Sequence, residues 1–131
     1  MGAQPAVLVV DDFADQRAIC KLALESNGYL VKVVDGGEAA LESLRAGDPV
    51  DVVLADIMMP GVSGLDLARR VREEYPDLSI VLMTAYPDVL QDALEEGFLP
   101  LVKPFTAAQL RETVFDALAL RRSDGKGGTA D

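Results

Sequence analysis

The chain has 131 residues, half of them hydrophobic and 26% charged, which suits one compact domain with a packed core. Lys and Arg number 12 against 22 Asp and Glu, a net charge of −10; this argues against a non-specific DNA or RNA binder, which needs clustered positive charge to neutralise phosphates. Histidine is absent and Cys20 is the single cysteine, so Ser-His-Asp and Cys-His triads, His-ligated metal sites, a phosphohistidine carrier and an intramolecular disulfide are excluded.

Met1 to Pro5 is short, has no charged side chains and runs straight into a strand-like stretch, unlike a signal peptide. Five apolar runs follow in chain order: Ala6–Val10, Leu30–Val34, Val50–Ala55, Ser79–Met83 and Leu99–Val102. They are continuous rather than alternating, as in strands covered on both faces. Between the first two, Ala14, Ala18, Ile19, Leu22 and Ala23 share one face of a helix, and Cys20 is expected on its apolar side. Asn27-Gly28 stops this helix. Asp35-Gly36-Gly37 reads as a turn, Leu41 and Leu44 mark a second helix, and Gly47 ends it. Leu65, Ala68 and Val71 mark a third helix, and Val89 to Glu96 a weaker fourth before Gly97. Thr106 and Gln109 form a capping-box pattern opening the last helix, whose buried face is Leu110, Val114 and Ala117. The tail from Ser123 is Gly-rich and polar, and disorder is expected there. Five alternations of strand and helix imply a parallel sheet with helices on both faces; the pattern alone leaves the strand order open. No apolar run approaches the roughly 20 residues that span a bilayer, so a soluble cytoplasmic protein without membrane contact is expected.

In an open α/β sheet, function gathers beyond the carboxyl ends of the strands. Here those ends carry Asp11-Asp12, Asp56, Thr84 and Lys103, the last followed by Pro104. Carboxylates converging on one edge repel one another unless a cation sits among them, and Mg²⁺ suits a few carboxyl oxygens plus waters. A nearby ammonium and hydroxyl would complete a site for a phosphoryl group, leaving one carboxylate free as the nucleophile. Asp56, projecting from a central strand, is the best candidate. Each piece alone reads as an ordinary turn or strand end; their joint placement carries the argument. Neither Gly-x-Gly-x-x-Gly nor Gly-x-x-x-x-Gly-Lys-Ser/Thr occurs, which removes the common nucleotide-binding readings.

The stretches VLVVDDFADQR, LADIMMPGVSGLDL, VLMTAY and LVKPFTAAQL, in this order and spacing, resemble the receiver domain of two-component response regulators. The resemblance covers about residues 5–121 and leaves 122–131 as a tail. It implies a doubly wound α/β fold, with a five-stranded parallel sheet of order 2-1-3-4-5 flanked by five helices. By resemblance, Asp56 is the phosphoacceptor, Asp12 the direct Mg²⁺ ligand and Asp11 the acid that binds through water. The main-chain carbonyl of Met58 completes the metal shell. Thr84 is the switch hydroxyl and Lys103 contacts the phosphoryl group, with the peptide bond before Pro104 expected to be cis. The implied reaction is phosphoryl transfer from a histidine kinase or histidine phosphotransfer protein, followed by self-catalysed hydrolysis.

The response is expected in the strand 4–helix 4–strand 5 region, with a downstream protein meeting the helix 4–strand 5–helix 5 face. After Leu120 no DNA-binding or enzymatic effector is expected, so output falls to protein binding or phosphate relay. Two departures stand out. Pro100 occupies the place of the family's rotating Tyr or Phe, with Phe98 and Tyr86 as the candidate substitutes and Phe98 expected to pack as core or loop filler instead, and the Glu96–Val102 segment is about one residue short, as in receivers that accompany hybrid kinases. By the same resemblance, Met58 and Tyr86, two places after Asp56 and Thr84, are expected to flank the phosphoryl group. Two other classes are a non-phosphorylated scaffold with this fold and an Mg²⁺-dependent aspartyl phosphatase; the latter's Asp-x-Asp motif is not matched by Asp11-Asp12-Phe13.

Overall fold

Apolar runs of four to six residues form the strands of the computed structural model, which describes residues 4–130, with side chains through Leu120. The elements alternate strictly: β1 (Ala6–Val10), α1 (Ala14–Glu25), β2 (Leu30–Val34), α2 (Gly37–Arg45), β3 (Val52–Asp56), α3 (Gly64–Glu74), β4 (Ser79–Thr84), α4 (Pro87–Glu95), β5 (Leu99–Val102) and α5 (Ala107–Ala130). All pairings are parallel and the sheet order is β2-β1-β3-β4-β5, as expected. The expected disordered tail, 122–131, lies outside the residues whose side chains are described. No helix among the described residues is long and apolar enough to cross a membrane.

Strand pleating sorts the core into two layers. Val7, Val9, Val52, Leu54, Val81 and Met83 pack with Cys20 and Leu24 of α1 and with Leu110, Val114 and Ala117 of α5. On the other face, Leu8, Val10, Val53, Ala55 and Leu82 pack against α2, α3 and α4 through residues such as Leu41, Leu67 and Leu90. Asp11 and Lys103, just past their strands, and Asp56, at its strand's end, continue the parity of the α1/α5 layer. The chain goes outward from β1 to β2 and then returns to β3. The crevice at this reversal, between the carboxyl ends of β1 and β3, therefore receives the acids at both strand ends.

Three expectations need correction. The third strand runs Val52–Asp56 rather than Val50–Ala55. Asp51 is instead occupied in joining the start of this strand to β1: its amide donates to the Ala6 carbonyl at 2.7 Å and its carboxylate accepts from the Ala6 amide at 2.8 Å. The strands are not all covered on both faces: β2 is an edge strand whose residues are half-buried or exposed. The face of α1 is also different. Ala14 and Ala18 are exposed, as are Ile19 (58%) and Leu22 (73%), while Cys20 and Leu24 are wholly buried with Ala23 packed beside them. Apolar residues occur on both sides of this helix, so periodicity alone does not choose; contact with α5 and the sheet does.

The punctuation is as expected. Thr106 and Gln109 exchange reciprocal hydrogen bonds at 2.9 and 3.0 Å. Gly47 and Gly97 follow the ends of α2 and α4 with φ of 85° and 87°, a left-handed conformation that glycine adopts without a Cβ penalty.

The corrected α1 face predicts unequal effects of truncation. Leu24→Ala should cost about 2–5 kcal/mol, whereas Leu22→Ala should change stability by less than about 0.5 kcal/mol; urea unfolding of both variants checks this.

Candidate functional site

The carboxyl ends of β1, β3, β4 and β5 carry the polar groups of the candidate site: Asp11 and Asp12, Asp56, Thr84 and Lys103. Asp11 is fully buried, Asp56 is 5% exposed and Thr84 1%. The Lys103 ammonium bridges two of the acids, donating to Asp56 Oδ2 at 2.8 Å and to Asp11 Oδ2 at 3.2 Å. The Met58 amide donates to Asp56 Oδ1 at 3.0 Å, so both oxygens of this carboxylate are held. Likewise, the Phe13 amide donates to Asp11 Oδ1 at 3.0 Å. Thr84 Oγ1 accepts from the Tyr86 amide at 3.1 Å, which leaves the hydroxyl proton available to another acceptor. The Thr84 carbonyl accepts from the Lys103 amide at 2.9 Å, tying the ends of β4 and β5 together. The Lys103–Pro104 peptide bond is cis, as expected.

Carboxylate oxygens of Asp11, Asp12 and Asp56 all lie within 4.8 Å of one another. Asp12 Oδ1 is buried and has no hydrogen-bond partner among the described residues. An unsatisfied buried carboxylate oxygen is expensive in water-free surroundings. Its position beside two further carboxylates makes an all-oxygen donor set, and this fits a hard divalent cation such as Mg²⁺.

Glycine is required where α3 begins. A Cβ on Gly64 would stand 2.1 Å from the Asp56 carbonyl oxygen and 2.6 Å from Ile57 Cα. The Gly64 amide donates to the Ile57 carbonyl at 2.9 Å. The loop after Asp56 is thereby drawn against the strand end, which sets the direction of the residues around it. Sequence reasoning missed this role; its signal was a second glycine three residues after Gly61 in the loop Pro60-Gly61-Val62-Ser63-Gly64.

The structure brings together Asp11, Asp12, Asp56 and Lys103, with Thr84 at the neighbouring strand end. Met58 joins them through its amide, while the residue as a whole is 52% exposed. Tyr86 is 59% exposed. Pro100 lies in β5 opposite Leu82, and its ring offers no rotating aromatic. Phe98 does not replace it: this ring is buried in the α2/α3/α4 layer, with the Arg72 guanidinium 4.4 Å from its centroid.

The response regulator receiver domain family model matches residues 7–115. The chain belongs to this family. Among curated relatives of this receiver domain, response regulator MprA of Mycolicibacterium vanbaalenii is 36% identical over 132 residues, 95% of this chain and 55% of MprA. Two-component response regulator ORR3 of Oryza sativa is 38% identical over 106 residues, 77% of this chain and 81% of the relative. The solved structure of response regulator protein TrrA from Thermotoga maritima in complex with Mg²⁺–BeF superposes with a TM-score of 0.81 at 35% identity, covering 88% of this chain and 100% of that one. The chain spans about half of MprA's length, and smaller shares of other curated relatives, down to 12%.

Electrostatics set the cluster apart from an ordinary ion pair. Burial pushes the Asp11 carboxyl up, more than the Phe13 amide and Lys103 pull it down. Burial works against the Lys103 charge too, but the hydrogen bond to Asp56 and the charges of Asp56 and Asp11 outweigh it, and the ammonium is raised. A carboxyl with a raised folded pKa contributes its full stability below the ordinary carboxylate range and loses it as pH rises through the folded value. At neutral pH an ionised Asp11 is thus held at a cost. In chelator at neutral pH, Asp11→Asn should raise the thermal midpoint above that of the native protein. The gain over the native protein should shrink as pH falls through the range where Asp11 protonates; a variant less stable than native at neutral pH would contradict this.

Proposed function

We propose that this receiver domain is a phosphorylation-dependent switch whose phosphoacceptor is Asp56. The observation that carries the reading is a buried carboxylate, held at both oxygens by Met58 and Lys103, beside an acid whose buried oxygen has no partner. Family membership and the likeness to a solved Mg²⁺–BeF complex support it. The donor is a histidine kinase or a histidine phosphotransfer protein. The chain acts as a signalling receiver rather than a conventional enzyme, and works in the cytoplasm.

Mg²⁺ would be held by Asp11, Asp12, Asp56 and the main-chain carbonyl of Met58. When bound, it supplies positive charge against the phosphoryl oxygens. A carboxylate oxygen of Asp56 attacks phosphorus, the new O–P bond forms as the donor's N–P bond breaks, and the electron pair stays on the histidine nitrogen. Lys103 keeps its ammonium at Asp56 throughout and neutralises part of the added charge. The Thr84 hydroxyl donates a hydrogen bond to a phosphoryl oxygen, drawing the ends of β4 and β5 towards Asp56. This shifts an existing equilibrium of the β4–α4–β5 region and alters the α4–β5–α5 face met by a downstream protein. Water later attacks phosphorus, the acyl phosphate O–P bond breaks, and inorganic phosphate leaves with the Asp56 carboxylate restored.

Incubation with acetyl phosphate and Mg²⁺, followed by peptide mass analysis, tests the assignment. The Asp56 peptide should gain one phosphoryl group, and Asp56→Asn should abolish the gain. No gain in the native protein, or an undiminished gain in the variant, would sink it. The exposed Met58 and Tyr86 side chains flank the path of the attacking water in this reading. Met58→Ala and Tyr86→Ala should each speed phosphate loss several-fold; unchanged rates in both would mean that these side chains do not restrict the water.

A further inference from the structure

The β1–α1 corner holds a cation in an unfavourable place. Arg17 is the fourth residue of α1, where the positive end of the helix dipole disfavours a guanidinium. Its Nη1 nonetheless reaches back six residues and donates to the Asp11 main-chain oxygen at 2.7 Å. On the other side of this residue, the Asp11 amide donates to the Val34 carbonyl at 3.2 Å. The Phe13 amide is held in turn by Asp11 Oδ1. The peptide groups on both sides of Asp12 are therefore fixed: the one before it by Arg17, the one after it by the Asp11 carboxylate. Asp12 itself makes no such bond through Oδ1, which is buried and without a partner. The Phe13 side chain cannot cap the helix; Arg17, a donor, does not replace a cap but ties the first turn of α1 back to the end of β1.

We propose that Arg17 is a positioning residue that orients the Asp11–Asp12 peptide and so presents the Asp12 carboxylate to the divalent cation. It acts through the backbone and touches neither the metal nor the phosphoryl group. The inference rests on the metal-dependent reading of the site and adds a residue to it. Charge alone and positioning predict opposite signs. Removing a positive charge near an acidic cluster strengthens cation binding if only electrostatics matter. Releasing the Asp11 carbonyl weakens binding if the guanidinium positions Asp12.

The test titrates the native protein, Arg17→Met and Arg17→Lys with Mg²⁺ alone at constant ionic strength. Amide resonances of Asp12 and Met58 report binding, and thermal midpoints in chelator are recorded in parallel. Arg17→Met should bind Mg²⁺ on the order of tenfold more weakly than native, as when an outer partner of a metal ligand is lost. Arg17→Lys keeps the charge and a donor on a differently shaped head, and should fall between the two. Equal or tighter binding by a folded Arg17→Met protein would overturn the proposal. If that variant does not fold, Arg17→Lys decides: binding a few-fold weaker than native supports the proposal, and binding equal to native overturns it. A native protein whose resonances ignore Mg²⁺ would instead remove the metal-dependent function, and this inference with it.

Discussion

One ammonium shared among buried carboxylates is the constraint on which the site depends. Lys103 pairs with Asp56 and Asp11, and Asp12 is left with an unpartnered oxygen beside them. A single ammonium cannot balance three carboxylates, and burial strengthens their repulsion. Such a cluster is a poor way to stabilise a fold and a good way to bind positive charge. The acids outnumber the ammonium; in the proposed function a divalent ion offsets the excess before a phosphoryl group adds charge of its own. The displacement of the Asp11 and Lys103 pKa values by desolvation and by neighbouring groups is of the kind expected at a functional site.

The sheet makes this imbalance sustainable. Parallel strands β1 and β3 are adjacent, fully buried and packed on both faces, so their carboxyl ends cannot drift apart without disrupting both core layers. Gly64 allows the α3 terminus to approach the backbone of Asp56. The cross-link from the Lys103 amide to the Thr84 carbonyl keeps the β5 end alongside β4. Like-charged groups are therefore held together by apolar packing some distance below them. On the output side, Phe98 is buried beneath Arg72 and Pro100 replaces a rotatable ring. In the proposed switch, the link from Thr84 to α4 is the β4–α4 junction at Tyr86, whose amide donates to the threonine hydroxyl oxygen.

Much of this was legible in the sequence, for a physical reason. An apolar run that stops at a polar or charged residue announces a buried strand leaving the core, and four such stops supplied Asp11-Asp12, Asp56, Thr84 and Lys103. The capping pair Thr106 and Gln109 was legible because both partners lie within one helical turn. The buried face of α1 was not, because Ile19 and Leu22 are as apolar as Cys20 and Leu24 and only the position of α5 selects between them. The hydrogen bond from Arg17 to a main-chain oxygen left no trace in residue type. The close approach of Gly64 to Asp56 likewise depends on where α3 lands, which is decided by tertiary packing.

The most direct measurement is the thermal midpoint of the native protein against Mg²⁺ concentration at fixed ionic strength and neutral pH. A ligand that binds only the folded state stabilises it in proportion to the logarithm of its concentration once binding saturates. The midpoint should therefore climb steadily with added Mg²⁺, and should not do so with an equivalent concentration of a monovalent salt. A midpoint indifferent to Mg²⁺ would contradict the view that the acidic cluster is poised for a divalent cation.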